Sequence, residues 1–229
     1  MSLFNLINGN IITLNAENPI AHSLTIDKGK IISINNTTPK FKTLDLKGAT
    51  VIPGFIDAHF HLKNYGKRLE QIDLKGLNSL ENIKHLINQK LLSINAGEWI
   101  LGFGWDQNKW KQSEYPHSDI LNTLRISQPI MLMRIDGHSC WINHKTMQLS
   151  GLDVSLESPE GGDIINNCIL IDNAMNPVQF IIPKSDENKI KKWINMALEI
   201  IIPRGITNVH DAWQDPTSVK VLQELSDNN

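Results

Sequence analysis

The sequence is poor in the features that mark secreted, membrane-spanning and nucleic-acid-binding proteins. Its 229 residues include only two cysteines, Cys140 and Cys168. Two thiols do not make a disulfide framework, so a reducing, cytoplasmic setting is expected. No window approaches 18 uninterrupted apolar residues, so no membrane-spanning helix is expected. The N-terminal segment lacks a basic stretch leading into an apolar core, and Asn8 and Gly9 interrupt it, so it does not read as a signal peptide. An excess of one charge is missing too: 22 Lys and Arg against 24 Asp and Glu leave a formal net charge of −2. Basic clusters interleaved with aromatics are absent, so no nucleic acid or acidic membrane surface is expected as a partner. Ser-x-x-Lys, Gly-x-Ser-x-Gly, Walker A and Rossmann glycine patterns are also absent, as are internal repeats.

What is present is an ordinary soluble composition, 41% hydrophobic and 20% charged, in a chain long enough to bury a real core. The first fifty residues read as short strands and turns. Apolar Phe4–Ile7 and Ile11–Leu14 flank Asn8-Gly9-Asn10, which predicts a hairpin. Strand candidates Ala21–Ile26, Ile31–Ile34, Thr43–Leu46 and Ala49–Ile52 follow, separated by glycine turns at Gly29 and Gly48. Six candidates make a sheet or half-sandwich whose edges need covering.

After residue 61 the pattern turns helical. Ser79 is placed to cap a helix over Leu80–Ser93, with Ile83, Leu86, Ile87 and Leu91 on one face. Ser118 is read as the cap of a short helix, Asn143 as the cap of one running through Leu149, and Ser185 as the cap of the longest, Glu187 to about Ile202. Pro203 and Gly205 end that helix. Thr217–Ser226 is the last helix. Strands are expected at Trp99–Gly104, Pro129–Ile135 and Ile206–Asp211, and residues 152–163 are expected to be loop.

The chain is organised around Val51–Leu62, which reads as a buried strand ending in His59 and His61. Alternate strand residues face the same way, so both imidazoles are expected on one side, close enough to grip one metal ion. Two other apolar strands also end in polar clusters, Arg134 to His138 and His210-Asp211. Strands that are apolar in the body and polar at the C-terminal end are typical of the active face of an α/β barrel or open sheet. Trp105, Asp106, Arg134, His138, His210 and Asp211 are therefore candidates for a substrate pocket. Trp105 and Trp110 bracket a polar Asp-Gln-Asn and could line it. Cys140 reads as a packing residue.

The order of these motifs resembles a known family. Asn8-Gly9-Asn10-Ile11-Ile12-Thr13, Pro53-Gly54-Phe55-Ile56-Asp57-Ala58-His59-Phe60-His61 and Gly205-Ile206-Thr207-Asn208-Val209-His210-Asp211-Ala212 resemble the amidohydrolase superfamily. Gly102-Phe103-Gly104-Trp105-Asp106, Arg134-Ile135-Asp136-Gly137-His138 and Pro159-Glu160-Gly161-Gly162 narrow the resemblance to the amidohydrolase-3, YtcJ-like family, which includes N-substituted formamide deformylases. The resemblance implies a β-sandwich attached to a metal-dependent (β/α)8 barrel. Residues 1–52 would be the N-terminal part of that sandwich. Residues 53–229 would be an incomplete barrel holding its first two strands, with an inserted α/β subdomain at about 95–180. His59 and His61 would ligate a divalent metal, most simply zinc, that activates water against an amide or formamide C–N bond of a small molecule.

Other parts of the family's site have no counterpart in the sequence. The later metal ligands and the aspartate general base of the last barrel strand are not found, and residues 62–229 are fewer than the roughly 250 a barrel needs. The chain alone is therefore expected to be the N-terminal portion of an amidohydrolase with little activity. The alternatives are half of a split enzyme completed by a second chain, or a non-catalytic remnant with weak metal binding.

Overall fold

The computed structural model describes residues 3–124, 126–152 and 157–227. Eight short strands come first. They are β1 (Phe4–Ile7), β2 (Asn10–Ile12), β3 (Ile20–Ala21), β4 (Leu24–Asp27), β5 (Lys30–Ile34), β6 (Lys42–Asp45), β7 (Thr50–Val51) and β8 (Phe55–Asp57). Helices and strands then mix: α1 (Leu62–Glu70), β9 (Ile72–Asp73), α2 (Leu80–Leu91), β10 (Ile100–Trp105), α3 (Ser118–Asn122), β11 (Ile130–Arg134) and β12 (Ser139–Ile142). The rest is α4 (His144–Leu149), β13 (Gly162–Ile165), β14 (Ile169–Asp172), α5 (Asn176–Ile181), α6 (Glu187–Ile201), β15 (Ile206–Val209) and α7 (Pro216–Asp227). The chain divides into two compact units, one of residues 1–60 and 201–211, the other of residues 61–200 and 212–229.

The first unit holds three small sheets. Strands β5-β4-β1-β6 form one, β3-β2-β7 a second, and β15-β8 a third. The hairpin expected at Asn8-Gly9 does not form. β1 and β2 enter different sheets, each pairing in parallel with a distant strand, β1 with β6 and β2 with β7. The chain turns between them through Asn8, at φ 56°. Gly9 lets Leu46 approach, since a Cβ there would lie 2.4 Å from Leu46 Cδ1. Ile11, Ala21 and Leu24 are buried here, with Leu6, Ile34, Leu46 and Val51 packed around them.

β8 and β15 pair in parallel, Phe55 with Ile206 and Asp57 with Val209. Among the described residues these two strands pair only with each other. Both were expected to be buried, and both are open: Phe55 is 56% and Ile56 61% exposed. Gly54, before β8, is required by close packing, because a Cβ would fall 2.3 Å from the Thr207 side chain.

The second unit is built on a six-stranded sheet of order β13-β14-β12-β11-β10-β9. β9, β10 and β11 run parallel, whereas β11–β12, β12–β14 and β13–β14 are antiparallel. Both faces are covered. Ile130, Leu132, Trp141 and Ile169 pack into one apolar cluster with Ile83, Ile87 and Trp105. The alternate residues Met131, Cys140, Ile142 and Leu170 pack into another with Met147 and Val178. This is the period-two alternation of a sheet buried on both sides. α1 lies against α6 at Gly66, where a Cβ would stand 1.8 Å from the Trp193 carbonyl oxygen, so only glycine fits.

Helix starts follow local chemistry. The Ser79 hydroxyl accepts the Asn82 N–H at 3.3 Å at the start of α2. The Asn143 side-chain Oδ1 accepts the Thr146 N–H at 3.0 Å at the start of α4. Ser118 instead becomes the first helical residue of α3, behind His117, which makes no side-chain cap. At α6 the side chain that accepts a first-turn N–H belongs to Asp186, from Lys189 at 2.8 Å, rather than to Ser185.

Candidate functional site

In the first unit, the ends of β8 and β15 are tied together beyond the strands. The Asp57 carbonyl accepts the His210 N–H at 2.8 Å, and the His210 carbonyl accepts the Phe60 N–H at 3.0 Å. The Asp57 carboxylate accepts the His59 N–H at 3.0 Å, closing a turn directly after β8. That turn corrects the expected geometry. β8 stops at Asp57, so His59 and His61 both lie past its end, where strand alternation no longer sets which way they face. His59 and His210 are exposed, and Asp211 follows directly after His210.

His61 begins the second unit as the residue before α1, and its carbonyl accepts the Tyr65 N–H at 2.7 Å. Its ring stands edge-on to Trp213, with centroids 5.6 Å apart and planes at 84°. Close by in sequence, Lys63 pairs with Asp215. Lys63, together with the N–H and hydroxyl of Ser218, holds the Asp215 carboxyl well below the usual carboxylate range. Sequence reading missed both Trp213 and Asp215.

The remaining candidates occupy the C-terminal edge of β10 and β11. Arg134 donates from Nε to Gln107 Oε1 at 2.8 Å, pairs with Asp106 at 3.6 Å, and also pairs with Asp136. Parallel pairing of β10 with β11 puts these side chains at one sheet edge. Trp105 does not line a pocket. It is fully buried, its indole N–H donates to the Leu132 carbonyl at 2.7 Å, and it stacks on Trp110 at 5.9 Å. Its apolar bulk goes to the core, and β10 turns polar only at Asp106. His138 lies beside Asp172, 3.0 Å from Nδ1 to Oδ1, a partner that nothing in the spacing indicated. A separate surface depression of about 450 Å³ is lined by Leu121, Asn122, Ile126, Asn143, His144, Lys145 and Gln148, none of them among the substrate-pocket candidates.

Two imidazoles are a suitable start for a zinc site, which takes three or four protein ligands. Among the described residues, however, no group of three or more His, Cys, Asp or Glu stands together so as to hold a metal ion. The described residues do not complete a metal centre.

The model of the amidohydrolase family (Amidohydro_3) matches residues 42–229. A putative amidohydrolase, YtcJ, of Bacillus subtilis is 26% identical over 179 residues, covering 76% of this chain and 34% of its own length. The N-substituted formamide deformylase of Arthrobacter pascens is 27% identical over 168 residues, covering 69% of this chain and 31% of its own. Among solved structures, an uncharacterised metal-dependent hydrolase of Pyrococcus horikoshii superposes with a TM-score of 0.73 at 28% identity. It covers 99% of this chain, which spans 46% of that protein. The chain thus spans 31–46% of the length of these relatives.

Proposed function

Since the chain belongs to the amidohydrolase family, we propose that it carries the first part of a metal-dependent site that hydrolyses amide- or formamide-type C–N bonds. The observation that carries this reading is the pair His59 and His61, one residue apart, just past a parallel strand whose partner, β15, is followed directly by His210. Residues one apart cannot separate their Cα atoms by more than about 7 Å, a spacing that allows both imidazoles to reach one ion when their side chains converge. His59 and His61 would supply two of the ligands, and a divalent ion held there, most simply zinc, would contribute Lewis-acid activation of water and carbonyl. The chain's own contribution is to present donors at the open end of β8, with Asp57 fixing the turn that holds His59. Two buried cysteines, neither in a disulfide, suit a reducing cytoplasm. Among the described residues, no helix is long and apolar enough to cross a membrane.

Two protein ligands are fewer than zinc takes. A polypeptide of these 229 residues is therefore expected to bind zinc weakly and to show little hydrolysis of N-substituted formamides. Isothermal titration calorimetry tests the reading. Zinc binding that disappears in the double variant His59→Ala, His61→Ala supports it, and binding indifferent to both substitutions refutes it. Metal-dependent turnover at ordinary enzyme rates would show instead that the chain is sufficient by itself. The second reading, an enzyme completed by a second chain, is favoured by the exposure of Phe55 and Ile56 on β8. It predicts a co-purifying polypeptide that supplies further metal ligands.

A further inference from the structure

Two of the runs that carry the family resemblance, Asp136-Gly137-His138 and Pro159-Glu160-Gly161-Gly162, have no part in the metal reading. The second unit brings them to one place. Asp136 Oδ1 accepts the His138 N–H at 3.0 Å, closing a turn after β11. The His138 carbonyl accepts the Asp172 N–H at 2.9 Å, and His138 Nδ1 stands 3.0 Å from Asp172 Oδ1. The two residues are thus joined through backbone and side chain together. An ionised carboxylate can only accept, so this contact places the imidazole proton on Nδ1. In the neutral ring that leaves Nε2 as an acceptor.

The Asp172 backbone is unusual. It sits at φ 46° and ψ −119°, a conformation rare for any residue with a side chain. An exposed ion pair contributes too little to hold such a residue in place, and both side chains here are exposed. The restraint comes from the glycine pair. A Cβ on Gly162 would lie 2.4 Å from the Ala174 nitrogen and 2.7 Å from the Ile171 carbonyl oxygen. One on Gly161 would lie 2.5 Å from Asn173 Nδ2. Asn173 then locks the two segments, donating its N–H to the Gly161 carbonyl at 3.2 Å and its amide to the Glu160 carbonyl at 3.0 Å. The glycines therefore admit residues 171–174 at backbone contact, and those residues set Asp172 against His138. On the same sheet edge Arg134 is engaged by Gln107, Asp106 and Asp136, which makes it a fixed wall.

We propose that His138 and Asp172 form a proton-accepting dyad for a ligand that carries an N–H or O–H donor. Asp172 is the positioning residue, fixing the Nδ1–H tautomer. Nε2 of His138 touches the ligand and takes its hydrogen bond, or its proton. When the proton moves, the electron pair of the broken N–H or O–H bond stays on the ligand, and the imidazolium formed is stabilised by Asp172. Identifying the ligand as an amide rests on the function proposed above, but the dyad itself does not.

The test uses the 229-residue chain and two measurements that involve no metal. Long-range ¹H–¹⁵N NMR reads the His138 tautomer, and mass spectrometry follows acylation of His138 by diethyl pyrocarbonate. The expected result is an Nδ1–H tautomer and an acylation rate about tenfold above that of Asp172→Asn, less than an enclosed catalytic base contributes. Gly162→Ala, which alters neither side chain, is expected to lose the tautomer preference as well. An Nε2–H tautomer in the unaltered chain overturns the proposal, as does an unchanged acylation rate in a folded Asp172→Asn variant. Should a variant fail to fold, the tautomer of the unaltered chain decides alone. Loss of zinc binding in the His59 and His61 variants bears only on the metal reading.

Discussion

Two parallel strand pairs in this chain look alike in sequence and differ in their surroundings. β10 and β11 are apolar strands that end in polar residues, and so are β8 and β15. In the first pair, neighbouring strands continue the sheet on both sides, and apolar clusters cover both faces. Its polar end is closed upon itself, with Arg134 held by Gln107, Asp106 and Asp136. In the second pair neither strand has a further partner among the described residues, and Phe55 and Ile56 face solvent. Parallel sheets are normally buried on both faces. An apolar strand with a polar tip therefore identifies an edge where chemistry can sit, while the company of the strand decides whether that edge is finished.

The largest expected effect lies in the finished region. Trp105 is fully buried, surrounded by Trp110, Tyr115 and Trp141, with its N–H satisfied by Leu132. Trp105→Ala is expected to cost about 3–5 kcal/mol, as for other large aromatic truncations in a packed core. Denaturant unfolding followed by circular dichroism measures it. A cost under about 1 kcal/mol would mean that Trp105 is a pocket wall after all, and the contrast between the two pairs would fail.

Much of this was legible before the structure, because it is local. Glycine and asparagine turns delimit the N-terminal strands, and Ser79 and Asn143 cap the helices they precede. What escaped the sequence depends on distant chain. Asn8-Gly9 looks like a hairpin, but β1 and β2 are drawn apart by parallel partners some forty positions downstream. Ser118 and Ser185 are good caps in isolation, yet Ser118 becomes the first helical residue of α3, and at α6 the accepting side chain is that of the neighbouring Asp186. The β13–β14 hairpin has a local signal in Asn166-Asn167 between two apolar runs, and both residues take positive φ, 51° and 54°. His59 and His61 declare themselves by spacing. Asp172 cannot, since its tie to His138 spans 34 positions.

A smaller effect separates charges that are enclosed from charges that are not. Glu70, the last residue of α1, receives Lys192 Nζ at 2.7 Å, the Trp193 indole N–H at 2.8 Å and Lys189 at 3.1 Å. Burial opposes its ionisation, yet the hydrogen bonds from Lys192, Trp193 and Lys189 outweigh it and hold the carboxyl at about 2. A depressed carboxyl stabilises the fold above its unfolded value of about 4.3, and that stability is lost as pH falls towards 2. Comparison of the unaltered chain with Glu70→Gln should show a difference of about 1 kcal/mol at pH 7, allowing for solvent around the lysines. The difference should shrink below about pH 4.3. A constant difference across that range would mean that ionisation of Glu70 is not its source.

The smallest effect on stability is expected where the sheet is open. Phe55 and Ile56 point to opposite faces of β8, and both are exposed. The double variant Phe55→Ser, Ile56→Thr should therefore change unfolding free energy by no more than about 0.5 kcal/mol, as surface substitutions do. Threonine keeps the β-branched shape that suits a strand, so β8 should survive. The readout that should move is association. Open apolar faces and free strand edges recruit other chains, so the unaltered protein should bind the dye ANS and sediment above its monomer mass, and the variant should do neither. A cost above about 2 kcal/mol would place both side chains in a working core. Equal association in the two proteins would mean that the open faces of β8 are not what other chains meet.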